Sequence, residues 1–172
     1  PEPTLHMESN AGMSKLDSES VHLTVTSPPY DVGWEYGPDY DDSMDYTSEY
    51  LPMLLDIFEE VYRLTVSGGH LCLVVPFIID VANDDMEVSQ GTFVASDIAE
   101  LLTTEGEWQL QDFVTWDKGY NEAGLRDQSR WPHPTRKSLN NFTEAIVVLK
   151  KPGMRSHTER QEEQSRIIWK RN

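Results

Sequence analysis

Hydrophobic and polar positions alternate between two periods along the chain. Val21-His22-Leu23-Thr24-Val25-Thr26 is a run of β-branched and apolar residues that predicts a buried strand, and Pro28-Pro29 stops it because neither proline can donate to a ladder. Between Thr47 and Thr65, Leu51, Leu54, Leu55, Phe58 and Val61 or Tyr62 recur with the spacing of an amphipathic helix, with Pro52 early enough to be tolerated. Ser67-Gly68-Gly69 is the expected stop, after which Leu71 to Pro76 reads as a continuous apolar strand of a parallel sheet. Ile78 to Gly91 is acidic and is expected to loop out. Thr92 to Gly106 predicts a second helix through Phe93, Ile98, Leu101 and Leu102, and Trp108 to Trp116 and Thr143 to Leu149 predict two further strands. Residues 1 to 20 are polar, with one apolar patch, Leu5-His6-Met7, as a candidate edge strand. Strand and helix repeating with short connections predict a doubly wound, Rossmann-like α/β sheet, in which ligands collect at the carboxyl ends of strands. Ser27 to Tyr30 stands at such an end.

Composition narrows the class. A chain of 172 residues, 38% hydrophobic, can build one domain with a core. No apolar run approaches the roughly 18 residues needed to cross a bilayer, and no signal peptide opens the chain, so a soluble cytoplasmic protein is expected. The single cysteine, Cys72, lies inside His70-Leu71-Cys72-Leu73-Val74-Val75 and is expected to be a buried, inert thiol. The five histidines show no metal-ligand spacing, and no metal is expected.

The net charge of -16 is divided unevenly. Residues 1 to 117 hold 2 Lys and Arg against 24 Asp and Glu, whereas residues 118 to 172 hold 12 against 6. Contact with a polyanion is therefore expected from the second segment. The acidic, lysine-poor remainder suits a prokaryotic, halophilic archaeal cytoplasm, because at molar salt the screening length falls to about 3 Å and self-repulsion matters little.

The chemistry-bearing residues fall in three stretches. In Ser27-Pro28-Pro29-Tyr30 the two prolines stiffen the backbone and fix its carbonyls as acceptors. Ser27 adds a hydroxyl and Tyr30 a flat ring, a set that suits a planar base bearing an exocyclic amine. The competing reading is an ordinary Pro-Pro turn with a packed tyrosine. Asp31 to Tyr40 is rich in Gly, Pro and Asp, which argues against regular structure, yet it carries Trp34 and Tyr36. They are either a mobile lid over a base or cofactor, or a surface loop pinned by its aromatics. Asp117 to Asn141 mixes Lys118, Arg126, Arg130, His133, Arg136 and Lys137 with Trp131, which is either a solvated basic loop or a set of phosphate and base contacts.

At these residues the sequence resembles the amino-methylating DNA methyltransferases, whose catalytic tetrapeptide is Ser, Asn or Asp followed by Pro-Pro and an aromatic, here Ser27-Pro28-Pro29-Tyr30. The resemblance extends over most of residues 5 to 152. It takes in Asp17-Ser18-Glu19-Ser20-Val21-His22-Leu23, Ser67-Gly68-Gly69-His70, Val114-Thr115-Trp116-Asp117-Lys118 and Glu144 to Gly153. The order is that of the permuted, beta-type group, in which the catalytic half precedes the cofactor half. The resemblance implies a catalytic portion over 1–153 with a target-recognition loop at about 117–141, followed by a charged segment at 154–172. It also implies S-adenosyl-L-methionine as cofactor, with Glu8, Thr26 and Ser27 beside it, and duplex DNA as partner. Serine at the first motif position favours cytosine N4 over adenine N6 as the target. No Gly-x-Gly turn for the cofactor occurs in the chain. The resemblance therefore implies an N-terminal portion of a longer enzyme, a second polypeptide carrying the missing half, or an inactive remnant.

The implied reaction is a direct displacement on the sulfonium methyl by the amine of an extruded base, with Tyr30 stacking on the base and the Pro28 carbonyl and Ser27 accepting from the amine. Three competing classes stay open. A protein or RNA amino-methyltransferase has no need of the basic loop, an inert remnant binds DNA without the cofactor, and an acidic interaction protein does neither.

Overall fold

The computed structural model describes residues 10–30, 35–37, 40–41, 44–81, 90–118 and 143–154. The calls on Glu8, Trp34, Arg126, Arg130, Trp131, His133, Arg136 and Lys137, and on the Leu5-His6-Met7 strand, lie outside them. After a short 3₁₀ turn at Asn10–Lys15, the elements are β1 (Val21–Thr26), β2 (Glu35–Gly37), β3 (Tyr40–Asp41), a π-type turn (Tyr46–Tyr50) and α1 (Leu51–Leu64). They continue as β4 (Thr65–Pro76), β5 (Ile79–Val81), β6 (Gln90–Thr92), α2 (Val94–Thr104), β7 (Gln109–Asp117) and β8 (Thr143–Lys150). No helix among the described residues is long and apolar enough to cross a membrane.

The main sheet runs in the order β1-β4-β8-β7. β1 and β4 are parallel, while β8 is antiparallel to both β4 and β7, so the sheet is mixed. Both helices pack on one face. Leu54, Phe58 and Val61 of α1 and Val94, Ile98 and Leu102 of α2 meet Leu71, Leu73, Val75, Ala145, Val147 and Leu149, all essentially buried. Trp108 closes this core, stacking edge-on against Tyr62 at 5.1 Å. On the opposite face Val25, Cys72 and Val148 lie in one row, and Val74, Ile146 and Val114 in the next. No described helix covers that face.

Three expectations are revised. Ser67-Gly68-Gly69 does not form the end of the helix. α1 stops at Leu64, where the β-branched Thr65 is already extended (φ -75°, ψ 132°) and its hydroxyl donates to the Val61 carbonyl at 2.7 Å. Lys151 completes the cap by donating from Nζ to the carbonyls of Tyr62 at 3.0 Å and Thr65 at 2.9 Å. The glycines instead form an irregular stretch within β4, where Gly68 has φ of 72° and the register against β1 jumps between Val21↔Thr65 and Leu23↔His70. Second, the ends of the acidic stretch after Ile78 pair as the small hairpin β5–β6. Third, the Gly- and Pro-rich stretch after Tyr30 contains the short antiparallel pair β2–β3, with Tyr36 on β2.

Candidate active site

The site is built where β1 ends. Thr26 is the last paired residue of β1 and lies beside Leu73, so the chain leaves the sheet at the level of Val74. Ser27 is exposed, Pro28 is buried, and Pro29 and Tyr30 are half-buried. The Val74 carbonyl gathers the two hydroxyls: Ser27 Oγ lies 3.1 Å from it and Tyr30 Oη 3.4 Å, with the hydroxyls 3.1 Å from each other. Tyr30 is therefore fastened back to β4 through its hydroxyl, which fixes where its ring sits. This tie between Tyr30, Ser27 and the β4 backbone crosses more than forty residues of sequence, so no local motif announces it.

A second tie holds the diproline itself. The hydroxyl of Tyr50, 1% exposed, donates to the Pro29 carbonyl at 2.6 Å. Tyr50 stacks on Tyr46 with ring centroids 5.6 Å apart, and the Tyr46 hydroxyl donates to Asp97 Oδ2 of α2 at 2.9 Å. The turn that carries both tyrosines is capped by Asp45, whose Oδ1 accepts from the backbone N–H groups of Thr47 and Ser48 and from the Ser48 hydroxyl, holding its carboxyl below the usual carboxylate range. A line of contacts thus runs from α2 to the tetrapeptide. Of the two diproline carbonyls, that of Pro29 is taken by Tyr50, and that of Pro28 accepts no hydrogen bond among the described residues.

The sheet also fixes where the basic segment begins and ends. Asp117 closes β7 opposite Thr143, and Glu144 pairs with both Trp116 and Pro76. Lys118 and Thr143, the described residues on either side of 119–142, therefore both lie at the carboxyl end of β4, the end that carries Ser27. Lys118, the first of the expected phosphate contacts, is ion-paired to Glu144 at 2.6 Å while 40% of its side chain stays exposed. The same end carries three rings that sequence reasoning did not assign to the site. Phe77 lies 6.4 Å from Phe93 and 5.8 Å from Phe113, centroid to centroid. Phe93, read as part of the buried face of the second helix, instead precedes α2 and is half exposed. Its i, i+5 distance to Ile98 was the available warning, since a residue one turn and a half away faces elsewhere. Cys72, expected to be buried, is half-buried, and desolvation pushes its thiol up, so it stays protonated.

A family profile described as DNA methylase, of the N6/N4 type, matches residues 21–171. The chain is 30% identical over 141 residues to the type II methyltransferase M.MjaVI of Methanocaldococcus jannaschii, covering 79% of this chain and 64% of that protein. It is 37% identical over 60 residues to the type II methyltransferase M.SfiI of Streptomyces fimbriatus, covering 14% of that protein. Among solved structures, a Thermus thermophilus protein assigned as a DNA modification methylase, in complex with S-adenosyl-L-methionine, superposes with a TM-score of 0.64 at 27% identity, over 91% of this chain and 56% of that one. The cytosine-N4-specific PvuII DNA methyltransferase shares the fold, with a TM-score of 0.59 at 12% identity, over 81% of this chain and 46% of that one. The chain thus spans less than two thirds of the length of these relatives. Its α/β sheet is the Rossmann-like fold of methyltransferases, and with the profile matched over most of its residues the chain belongs to the N6/N4 DNA methylase family.

Proposed function

We propose that this chain is the catalytic portion of a permuted, beta-type, S-adenosyl-L-methionine-dependent DNA methyltransferase of a restriction-modification system. It acts on the exocyclic amine of cytosine (N4), with adenine N6 as the second reading. The observation that carries the proposal is the doubly fastened tetrapeptide at the end of β1, tied by Ser27 and Tyr30 to Val74 and by Tyr50 through Pro29, at the sheet end from which the basic segment departs.

The residues present fit the base side of this chemistry. Ser27 Oγ keeps lone pairs beyond its contacts with Tyr30 and Val74, and the Pro28 carbonyl is a second acceptor on a backbone that cannot swing away. Acceptors fixed before the base arrives draw the amine hydrogens into place and leave its lone pair aimed outward, which lowers the barrier through positioning and electrostatic preorganisation. Tyr30 offers its ring for stacking. S-adenosyl-L-methionine, when bound, supplies the electrophilic methyl carbon, with Thr26, Ser27 and Glu8 as the residues of this chain beside it. Arg126, Arg130, Trp131, His133, Arg136 and Lys137, with Lys118, contact duplex DNA, and Trp34 and Tyr36 close over the site. Cys72 takes no part.

The absence of a Gly-x-Gly turn from these residues supports a requirement for a further segment, continuous with this chain or separate, that completes the cofactor pocket. It also supports a second reading, an inactive DNA-binding remnant. Labelled-methyl transfer to plasmid DNA by this chain together with the segment that completes its cofactor pocket, with nucleoside mass spectrometry of the product, tests the proposal. N4-methylcytosine is the expected product. N6-methyladenine selects the second target, and label at neither base overturns the enzymatic reading.

A further inference from the structure

The first turn of α2 reaches the tetrapeptide by two routes. Asp97 stands in that turn, yet its carboxyl is turned off the helix: Oδ2 accepts from the hydroxyl of Tyr46 at 2.9 Å, across 51 residues of sequence. Tyr46 is buried and lies nearly flat on Tyr50, the two rings inclined by 25°. Tyr50 in turn holds the Pro29 carbonyl. The second route starts at Phe93, the residue before α2, whose ring meets that of Phe77. Phe77 directly follows the end of β4, three residues beyond the Val74 carbonyl that gathers Ser27 and Tyr30. α2 itself is a firm base, with Val94, Ala95 and Ile98 wholly buried in the core. An acidic residue in a first helical turn is ordinarily accounted for by the helix dipole. A carboxyl oxygen engaged by a buried tyrosine of another element does a further job.

We infer that Asp97 is a positioning residue for methyl transfer: through Tyr46 and Tyr50 it sets the place of the Pro29 carbonyl, and with it that of Ser27 and the Pro28 carbonyl, which meet the amine. Stacking alone does not fix Tyr50, because ring pairs are comfortable over a range of offsets, with centroids about 4.5–7 Å apart. The hydrogen bond at the tip of Tyr46 removes that freedom, and the stacked Tyr50 inherits the constraint. The Tyr50 hydroxyl then passes it to the backbone at a point where two prolines offer no N–H for the purpose. A misplacement of about 1 Å at reacting groups costs about 10²-fold in rate, so a small slide of the ring is enough to be felt. The inference rests on the proposed function for what is being positioned, whereas the chain of contacts is a property of the fold. Asp97 touches neither base nor cofactor in this scheme.

The test compares Asp97→Ala, Asp97→Asn, Tyr46→Phe and the double variant Asp97→Ala with Tyr46→Phe, each in the full chain together with the segment that completes its cofactor pocket. Asparagine keeps an acceptor oxygen and alanine has none. Asp97→Ala and Tyr46→Phe are each expected to lower kcat about tenfold, with KM for DNA and for S-adenosyl-L-methionine changed by less than about twofold. Asp97→Asn is expected to keep kcat within about threefold of the unmutated value. The double variant is expected to be no slower than the slower single one, because both changes delete the same bond. Glu100→Gln, on the exposed side of α2, leaves kcat unchanged. A second readout needs no methyl transfer: in NMR spectra of the full chain alone, the Ser27 amide and Tyr30 ring resonances shift in Asp97→Ala and in Tyr46→Phe and stay in place in Asp97→Asn. Unmoved resonances in Asp97→Ala overturn the inference. So does a stability loss with kcat unchanged, an Asp97→Asn variant as slow as Asp97→Ala, or single effects that multiply in the double variant. An unmutated protein that transfers no methyl group removes the enzymatic reading, and the tie from α2 to the tetrapeptide then stands or falls on the resonances.

Discussion

The hydroxyl of Tyr50 donates to the carbonyl of Pro29 across 2.6 Å, joining the turn before α1 to the stretch after β1. Neither residue is near the other in sequence. The bond fixes the backbone at the one point where two prolines leave no N–H to anchor it, and it removes one of the two diproline carbonyls from the set available to a ligand.

Tyr50→Phe deletes that hydroxyl and leaves a carbonyl unpaired beside the core. Urea unfolding should show a loss of about 1–2 kcal/mol, because an unsatisfied polar group costs more than the bond it made contributed. In the complete enzyme the turnover number should fall more than KM rises, since the tetrapeptide is displaced rather than removed. An unchanged unfolding midpoint would show that the bond does not form in solution.

Ser27→Ala removes an exposed hydroxyl, so its cost in stability should stay below about 1 kcal/mol. Methyl transfer to DNA in the complete enzyme should fall by about 10²-fold or more, the usual scale for losing a preorganised contact to the reacting group. Transfer at the unmutated rate would remove Ser27 from the site.

A Cβ added at Gly69 would lie 2.7 Å from Thr65 Cγ2, 2.9 Å from the Val66 carbonyl oxygen and 3.1 Å from the His22 carbonyl oxygen. Two of these are backbone atoms that do not rotate away. Gly69→Ala should therefore destabilise the protein by about 1–3 kcal/mol. It should also loosen β1 on β4, visible as faster amide hydrogen exchange in Val21–Thr26. Protection equal to that of the unmutated protein would contradict the close approach.

Arg63 grips Glu60 with two bonds, from Nε to Oε2 at 2.9 Å and from Nη2 to Oε1 at 2.7 Å, and holds its carboxyl below the usual carboxylate range. In the unfolded chain that carboxyl titrates near its ordinary value of about 4.3. The stabilisation is therefore fully present above that value and is lost as pH falls through the lower folded one, where the unfolded state binds the extra proton. Stability followed downward from pH 6 should fall less steeply in Glu60→Gln than in the unmutated protein.

The balance of 2 basic against 24 acidic residues before position 118 gives a repulsion that salt screens. Thermal unfolding measured from low to molar potassium chloride should move to higher temperature throughout. A protein most stable at low salt would remove the high-salt reading.

Where local physics dictates the outcome, the sequence was a sufficient guide. The strand Val21–Thr26 has the bounds that its β-branched run and the following prolines impose, although it stands at one end of the strand order with Leu23 and Val25 exposed and is not the buried strand that run predicts. α1 follows the spacing of Leu51, Leu54 and Phe58. The helix stop was misplaced because Gly68-Gly69 mimics a terminator. The actual cap is Lys151, reaching back over eighty residues to the carbonyls of Tyr62 and Thr65, a contact that no window of sequence contains. In the candidate site the tetrapeptide was legible as a motif. Its supports were not, because Val74 reads as an ordinary sheet residue and Tyr50 as the start of a helix.

The hairpin-like relation of β7 and β8 has a consequence for how such a protein diversifies. The two strands stay zipped through eight register pairs up to Asp117↔Thr143, and whatever joins them is spliced in beyond the last rung. On the proposed reading of this stretch as the target-recognition segment, exchanging it for another of different length or chemistry is expected to change what is recognised while the eight rungs and the described core beneath them stay in place. Target choice and folding would then be inherited separately, and a new specificity acquired by a single cut-and-replace event.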